Sequence, residues 1–337
     1  MKPNICLVLM AVMLIDFSAQ AQNLFESDGS GNIYKFTPNG TQSTFASGLN
    51  NPAGLAFNNA GDLFVSSYSG NSIFEFTPSG SQSTFASGLN HPASLAFNAA
   101  GILFESDSGS GNIYEFTPSG VKSTFASGLS VPWGLAFDSS GNLFEADNSS
   151  GKINKFTPGG SKSIFASGLH APLGLAFNSS GNLFEADLGS GNIYVFTSGG
   201  SQSTYISAGL TTGAPGGLIF NSTNVLFEAN NSGYIFDFPP SGPNTFASGL
   251  SPKFLAFQPV VNPSYNQISG QLLSGGNLQL SFVGIVGANY ALDRSFSLSP
   301  PNWIPQATNP AGAGGVLVFT NAPDATTNNF WRIRSVP

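Results

Sequence analysis

The chain has 337 residues, of which only 8% are charged, and a formal net charge of −7. Ordinary globular proteins carry roughly a quarter charged residues, so Ser, Thr, Asn, Gln and Gly must cover this surface. An acidic balance with ten Lys and Arg argues against nucleic acid, whose phosphates demand basic stripes.

In chain order, residues 1–21 read as a secretory signal peptide. Lys2 is followed by an apolar run from Ile5 to Ile15 and a small-x-small site at Ala19-Gln20-Ala21. A secreted, periplasmic or cell-surface location is therefore expected. The single cysteine, Cys6, falls inside this segment, so the remaining chain has no disulfide and no thiolate metal site. No later stretch is long and apolar enough to cross a bilayer as a helix.

Residues 22–258 are governed by a repeat. The phrase Pro-x-Gly-Leu-Ala-Phe and its variants start at Pro52, Pro92, Pro132, Pro172, Pro215 and Pro252, at intervals of 40, 40, 40, 43 and 37 residues. Within one unit, Gly54–Phe57, Leu63–Ser66, Ile73–Phe76 and Ser83–Ala86 are short β-type phrases separated by Asn, Gly, Ser and Pro turns. Four short antiparallel strands per ~40 residues make a propeller blade.

The ends of the array are complementary. The sequence after the leader enters at Leu24-Phe25-Glu26, a second strand, while the last unit supplies only a first strand, Phe254–Phe257. Together they complete one composite blade, giving six in all and a ring closed by N- and C-terminal strands. Closure removes the free sheet edges that a stacked solenoid, the rival architecture, would need to cap.

The repeat, read cleanly from Pro172 to Gly199, resembles the NHL repeat. The resemblance implies a six-bladed β-propeller of the superfamily that includes gluconolactonase-like (SMP-30) and streptogramin-lyase-like proteins. Gluconolactonase-like members hold a divalent metal in the tunnel with Glu, Asn and Asp side chains that differ between blades, and streptogramin-lyase-like members need a catalytic histidine. The acids of this chain are instead repeated in register, and only His91 and His170 are present, each in the connection before a repeat proline. No Gly-x-Ser-x-Gly elbow or phosphate-cradling loop appears, so no catalytic residue is assigned.

Two features carry candidate chemistry. Glu26, Glu105, Glu145, Glu185 and Glu228 share one repeat column, with Asp28, Asp107, Asp147 and Asp187 two residues later; these nine are more than half of the seventeen acids. They read either as an acidic ring at a tunnel mouth, holding Ca²⁺ or another divalent cation, or as structural groups. In the structural reading the Asp opens an Asx turn and the Glu bridges blades. The second feature is the column after the repeat proline: Ala53, Ala93, Trp133, Leu173, Gly216 and Lys253. These should ring the tunnel mouth beside Tyr68, His91 and His170, with Trp133 and Tyr68 as a stacking platform or as caps on the apolar space between blades. The Phe columns headed by Phe45 and Phe57 are expected to fill the core between blades.

Residues 259–267 read as a linker. Residues 268–337 read as a small all-β domain, a sandwich by its alternation, from Leu278–Phe282, Tyr290–Asp293, Val316–Phe319 and Phe330–Arg334. Its Asn302-Trp303 and Phe330–Ile333 phrases resemble a C-terminal module of secreted bacterial proteins of the Verrucomicrobia type. The reading is a monomeric, non-catalytic binding or scaffold protein for an extracellular protein or carbohydrate. The alternatives are a metal-dependent lactonase or lyase and a purely structural exoprotein.

Overall fold

A computed structural model describes residues 22–209 and 213–259, and six further strands between Ser269 and Val336. The leader reading (1–21), most of the linker and Trp303 lie outside the described residues. The chain divides into two compact units, one of residues 19–261 and one containing residues 262–337.

The first unit is an all-β, six-bladed propeller of four-stranded antiparallel sheets. Blade 2 is a simple meander: Pro52–Phe57, Leu63–Ser67, Ser72–Phe76 and Gln82–Ser87, innermost strand first. Blades 3, 4, 5 and 6 repeat it from Pro92, Pro132, Pro172 and Pro215. Blade 1 is composite, ordered Pro252–Phe257, Leu24–Asp28, Asn32–Phe36, Gln42–Ala46. Its seam pairs Leu24 with Phe257 and Glu26 with Leu255. Each innermost strand packs on the next, and that of blade 1 packs on that of blade 2, so the ring closes.

The glycine of the repeat phrase is what lets the innermost strands approach. A Cβ on Gly134 would lie 2.0 Å from the Leu173 carbonyl oxygen, and one on Gly54 would lie 2.3 Å from that of Ala93. Blade 3 carries Ser94 instead, whose hydroxyl accepts a 3.3 Å hydrogen bond from the Leu135 N–H of blade 4.

Between blades, each second-strand Phe is gripped by two other aromatic rings, both Phe except at Phe184, which meets Tyr205 and Phe220. Phe144 meets Phe165 of its own blade and Phe177 of the next, both at 5.0 Å and edge-on, a favoured aromatic geometry. The columns headed by Phe45 and Phe57 turn out to be half-buried rims of this packing. The fully buried aromatic column is on the third strand, at Phe36, Phe76, Phe116, Phe156 and Phe196. Position in the sheet accounts for the difference: the Phe57 and Phe45 columns lie on the first and fourth strands, the two edges of each sheet, whereas the third strand has a neighbour on both sides.

The strands of the second unit pair as two antiparallel three-stranded sheets. One contains Ser269–Leu272, Leu278–Val283 and Val316–Asn321; the other contains Asn289–Ser295, Ile304–Pro310 and Phe330–Val336. The strands Ser269–Leu272 and Ile304–Pro310 carry no clear alternation and were not legible in the sequence.

Candidate functional site

In an antiparallel blade the turn from second to third strand and the connection into the next blade emerge at the same end. That end, the upper face, therefore gathers the turns after Asp28, Ser67, Asp107, Asp147 and Asp187 with the residues preceding each repeat proline.

The aspartate column holds these two sets of loops together. Asp28 accepts the N–H groups of Ser30 and Ser251 at 2.7 and 2.6 Å. Asp107 accepts those of Asn90 and Ser110, and Asp187 those of His170 and Ser190. Asp147 accepts three, from Ser130, Val131 and Ser150. Each aspartate thus opens an Asx turn and ties down the connection entering its own blade. In blade 2 Ser67 replaces it and donates to the Asn50 carbonyl at 2.8 Å.

The glutamate column behaves differently from either expectation. All five carboxyls are 0% exposed, so they form no ring open at a mouth. Nor do they bridge blades: both side-chain oxygens of Glu26, Glu105 and Glu185 lack a hydrogen-bond partner. Glu145 accepts from Asn154 Nδ2 and Glu228 from Asn230 Nδ2, each at 2.8 Å through one oxygen.

Their surroundings are apolar. The equivalent residue in blade 2 is Val65, which packs with Phe25 and Ile33 of blade 1. Leu183, two residues before Glu185 and so on the same strand face, packs with Phe144 and Ile153 of blade 4. Desolvation, with a smaller push from the neighbouring aspartate, raises the pKa of Glu26 and Glu185 to about 9. Desolvation also lifts Glu105 well above the usual range, and Glu145 and Glu228 to about 8 and about 7 against the lowering pull of their Asn partners. Burial thus favours the protonated form of these carboxyls, least at Glu228. Among the described residues no three His, Asp or Glu side chains converge in a way that could hold a metal ion.

A central cavity of about 240 Å³ is lined by residues of all six innermost strands. Leu55, Leu95, Leu135, Leu175, Leu218 and Leu255 recur around it, and Ser94 is its one hydroxyl. No ionisable side chain lines it. The divalent ion that the gluconolactonase-like resemblance implies therefore finds no carboxylate there, and the lining does not fit it.

The upper face does bring together part of the expected platform. Tyr68 (blade 2) lies 4.7 Å from His91 (entering blade 3) and 5.7 Å from Trp133 (blade 4), centroid to centroid. The three rings form an arc over three consecutive blades. Trp133 and Tyr68 are half-buried and His91 is exposed.

His91 takes the left-handed backbone region at φ 56, uncommon for a residue with a side chain. It is held there by its N–H donating to Asn71 Oδ1 at 3.0 Å and its carbonyl accepting from Ser108 Oγ at 2.8 Å. Tyr68 is the middle ring, meeting both others, and nothing local in the sequence announced that His91 would touch it. The signal was the Asn71–His91 spacing, legible only once the turn and the connection are known to share an end.

The other expected residues are not in the arc. Leu173 and Lys253 occupy the same register as Trp133 in blades 5 and 1. A Cβ on Gly29 would lie 3.1 Å from Lys253 Cε, which places that side chain against the blade 1 turn. His170 begins the blade 5 connection and is exposed.

No protein-family model and no curated protein matches the chain. Solved structures do. A chain of a nidogen/laminin complex superimposes with a TM-score of 0.64 at 19% identity, over 70% of this chain and 98% of its own. A gluconolactonase from Xanthomonas campestris gives 0.57 at 14%, over 77% and 91%. A streptogramin B lyase gives 0.53 at 13%, over 93% and 98%. At these identities the likeness is one of fold: the protein is a six-bladed β-propeller with gluconolactonases and streptogramin B lyases among its structural neighbours.

Proposed function

We propose that this protein is a non-catalytic binding module of the NHL-like type that takes its ligand on the upper face, at the Tyr68–His91–Trp133 arc. The arc itself carries the reading. Where the five other blades put Ala, Leu, Gly or Lys after the proline, blade 4 alone puts Trp, and its ring meets that of Tyr68, which in turn meets His91. Aromatic anchors among polar neighbours are what binding hot spots are built from.

The lactonase or lyase alternative is weaker, because the residues lining the central cavity include no group to hold a metal or move a proton. In the rest of the proposal, residues 1–21 direct export and the protein acts outside the cytoplasm as a monomer. The segment 268–337 is a small β-sandwich module appended to the propeller.

The test is a selection from two pools, a panel of soluble glycans and a phage-displayed peptide library, against the purified protein. Binders should weaken at least tenfold with Trp133→Ala and stay unchanged with Ser139→Ala on the opposite face. Binders from both pools that ignore Trp133→Ala and Tyr68→Ala would overturn the assignment of the face.

A further inference from the structure

We infer that the ligand of the upper face is a neutral carbohydrate chain, an inference that rests on the reading of the arc as the binding surface. Three observations converge on it.

The arc is a tilted aromatic cluster. Its rings span three blades, with His91 and Trp133 4.7 and 5.7 Å from Tyr68 at interplanar angles of 35° and 45°, and an exposed ring face of such a cluster can stack on the C–H face of a pyranose ring. A sugar ring buries one apolar face on such a surface while its hydroxyls stay at the rim.

The rim is polar and uncharged. Asn51 and Ser69 hydrogen-bond to each other beside Tyr68, whose own N–H is held by the Asn51 carbonyl. Asn71 and Ser108 hold His91. Asn148 donates its N–H to the Val131 carbonyl and its amide to the Pro172 carbonyl on either side of Trp133. Amides and hydroxyls both donate and accept, as sugar hydroxyls require.

The acids that do lie here are already used. The carboxylates of Asp107 and Asp147 accept the N–H groups of the loops that carry the arc. Both are buried and turned to backbone N–H groups, so no carboxylate is exposed at the arc to reward a basic peptide. No Lys or Arg is among its three rings or the residues that hold them to reward an anionic glycan. What remains is stacking plus neutral hydrogen bonds, the recognition chemistry of an uncharged oligosaccharide.

The experiment is isothermal titration of the full chain with hexaoses of glucose (α- and β-linked), xylose, mannose and N-acetylglucosamine. Hexagalacturonate and an aromatic-rich peptide serve as comparison arms. At least one neutral hexaose should bind, about tenfold more weakly with Trp133→Ala or Tyr68→Ala and with a smaller loss for the ring-preserving Trp133→Phe. Unchanged melting of each variant shows that the loss is not unfolding. If no neutral hexaose binds at millimolar concentration while the peptide or hexagalacturonate binds in a Trp133-dependent way, the carbohydrate assignment fails and the face stands. If a hexaose binds and all three variants bind it as the parent does, the face itself is wrong. If nothing in the panel binds, the carbohydrate assignment is overturned.

Discussion

Replacing Glu185 by Val should stabilise the propeller at neutral pH and leave it nearly unchanged in acid. Glu185 is 0% exposed, has neither oxygen hydrogen-bonded, and has its pKa raised to about 9 by desolvation and then by Asp187. Leu183, on the same strand face, packs with Phe144 and Ile153 of blade 4, so the seam beside Glu185 is apolar. A carboxyl with a raised folded-state pKa binds its proton more tightly in the fold than in the unfolded chain. Its contribution is fully present below the unfolded value near 4.5 and is lost as pH climbs toward the folded value. Over that window stability falls by about 1.4 kcal/mol per pH unit per group, or about 3 kcal/mol by pH 7 for Glu185 alone.

Valine, which blade 2 already uses at this position as a 0% exposed Val65, removes that loss. Glu185→Val should thus gain about 3 kcal/mol over the parent between pH 4 and pH 7, roughly 6–12 °C in Tm for a unit of this size. Glu185→Gln should flatten the same slope but stay less stable than Glu185→Val at every pH, because its buried amide remains unpaired. The assay is denaturant unfolding at whole pH steps from 4 to 8. A parent whose stability rises across that range, or a parent–valine gap that is the same at pH 4 and pH 8, would refute the neutral buried acid.

Other outcomes follow from the packing. Gly134→Ala places a Cβ 2.0 Å from the Leu173 carbonyl oxygen; by forcing two innermost strands apart it should cost about 3 kcal/mol or more, read as a lower urea midpoint. Ending the chain at Leu250 removes the strand paired with Leu24–Asp28 and should open blade 1, with amide exchange rising first in that blade. Asp147→Ala leaves the N–H groups of Ser130, Val131 and Ser150 without their acceptor. It should cost about 1–3 kcal/mol and loosen the loop that carries Trp133, seen as faster exchange at Ser130 and Val131.

The ring was legible in the sequence because its evidence is periodic. The repeat prolines, the turns and the split unit at Leu24 and Phe254 state blade, number and closure without any tertiary knowledge. The Glu column was visible as a column, but its state was not. Two residues at i and i+2 share a strand face, yet whether that face meets water or the next blade depends on how far the neighbouring sheet extends. So Asp187 reaches the loops at the strand end while Glu185 stops inside the seam. Tyr68 and Trp133 stood out by composition. His91 was expected at the same mouth from its place before Pro92, but its contact with Tyr68 was not, because that depends on the path of a connection held by Asn71 twenty residues earlier.

The central claim is that ligand meets the protein at Trp133, and the chain offers a direct probe of it with three tryptophans, Trp133, Trp303 and Trp331. Incorporating 5-fluorotryptophan gives one fluorine signal per site, assigned by Trp133→Phe. Titration with the best-binding neutral oligosaccharide should shift or broaden the Trp133 signal and leave the other two in place. A titration that saturates while the Trp133 signal stays still would contradict the account.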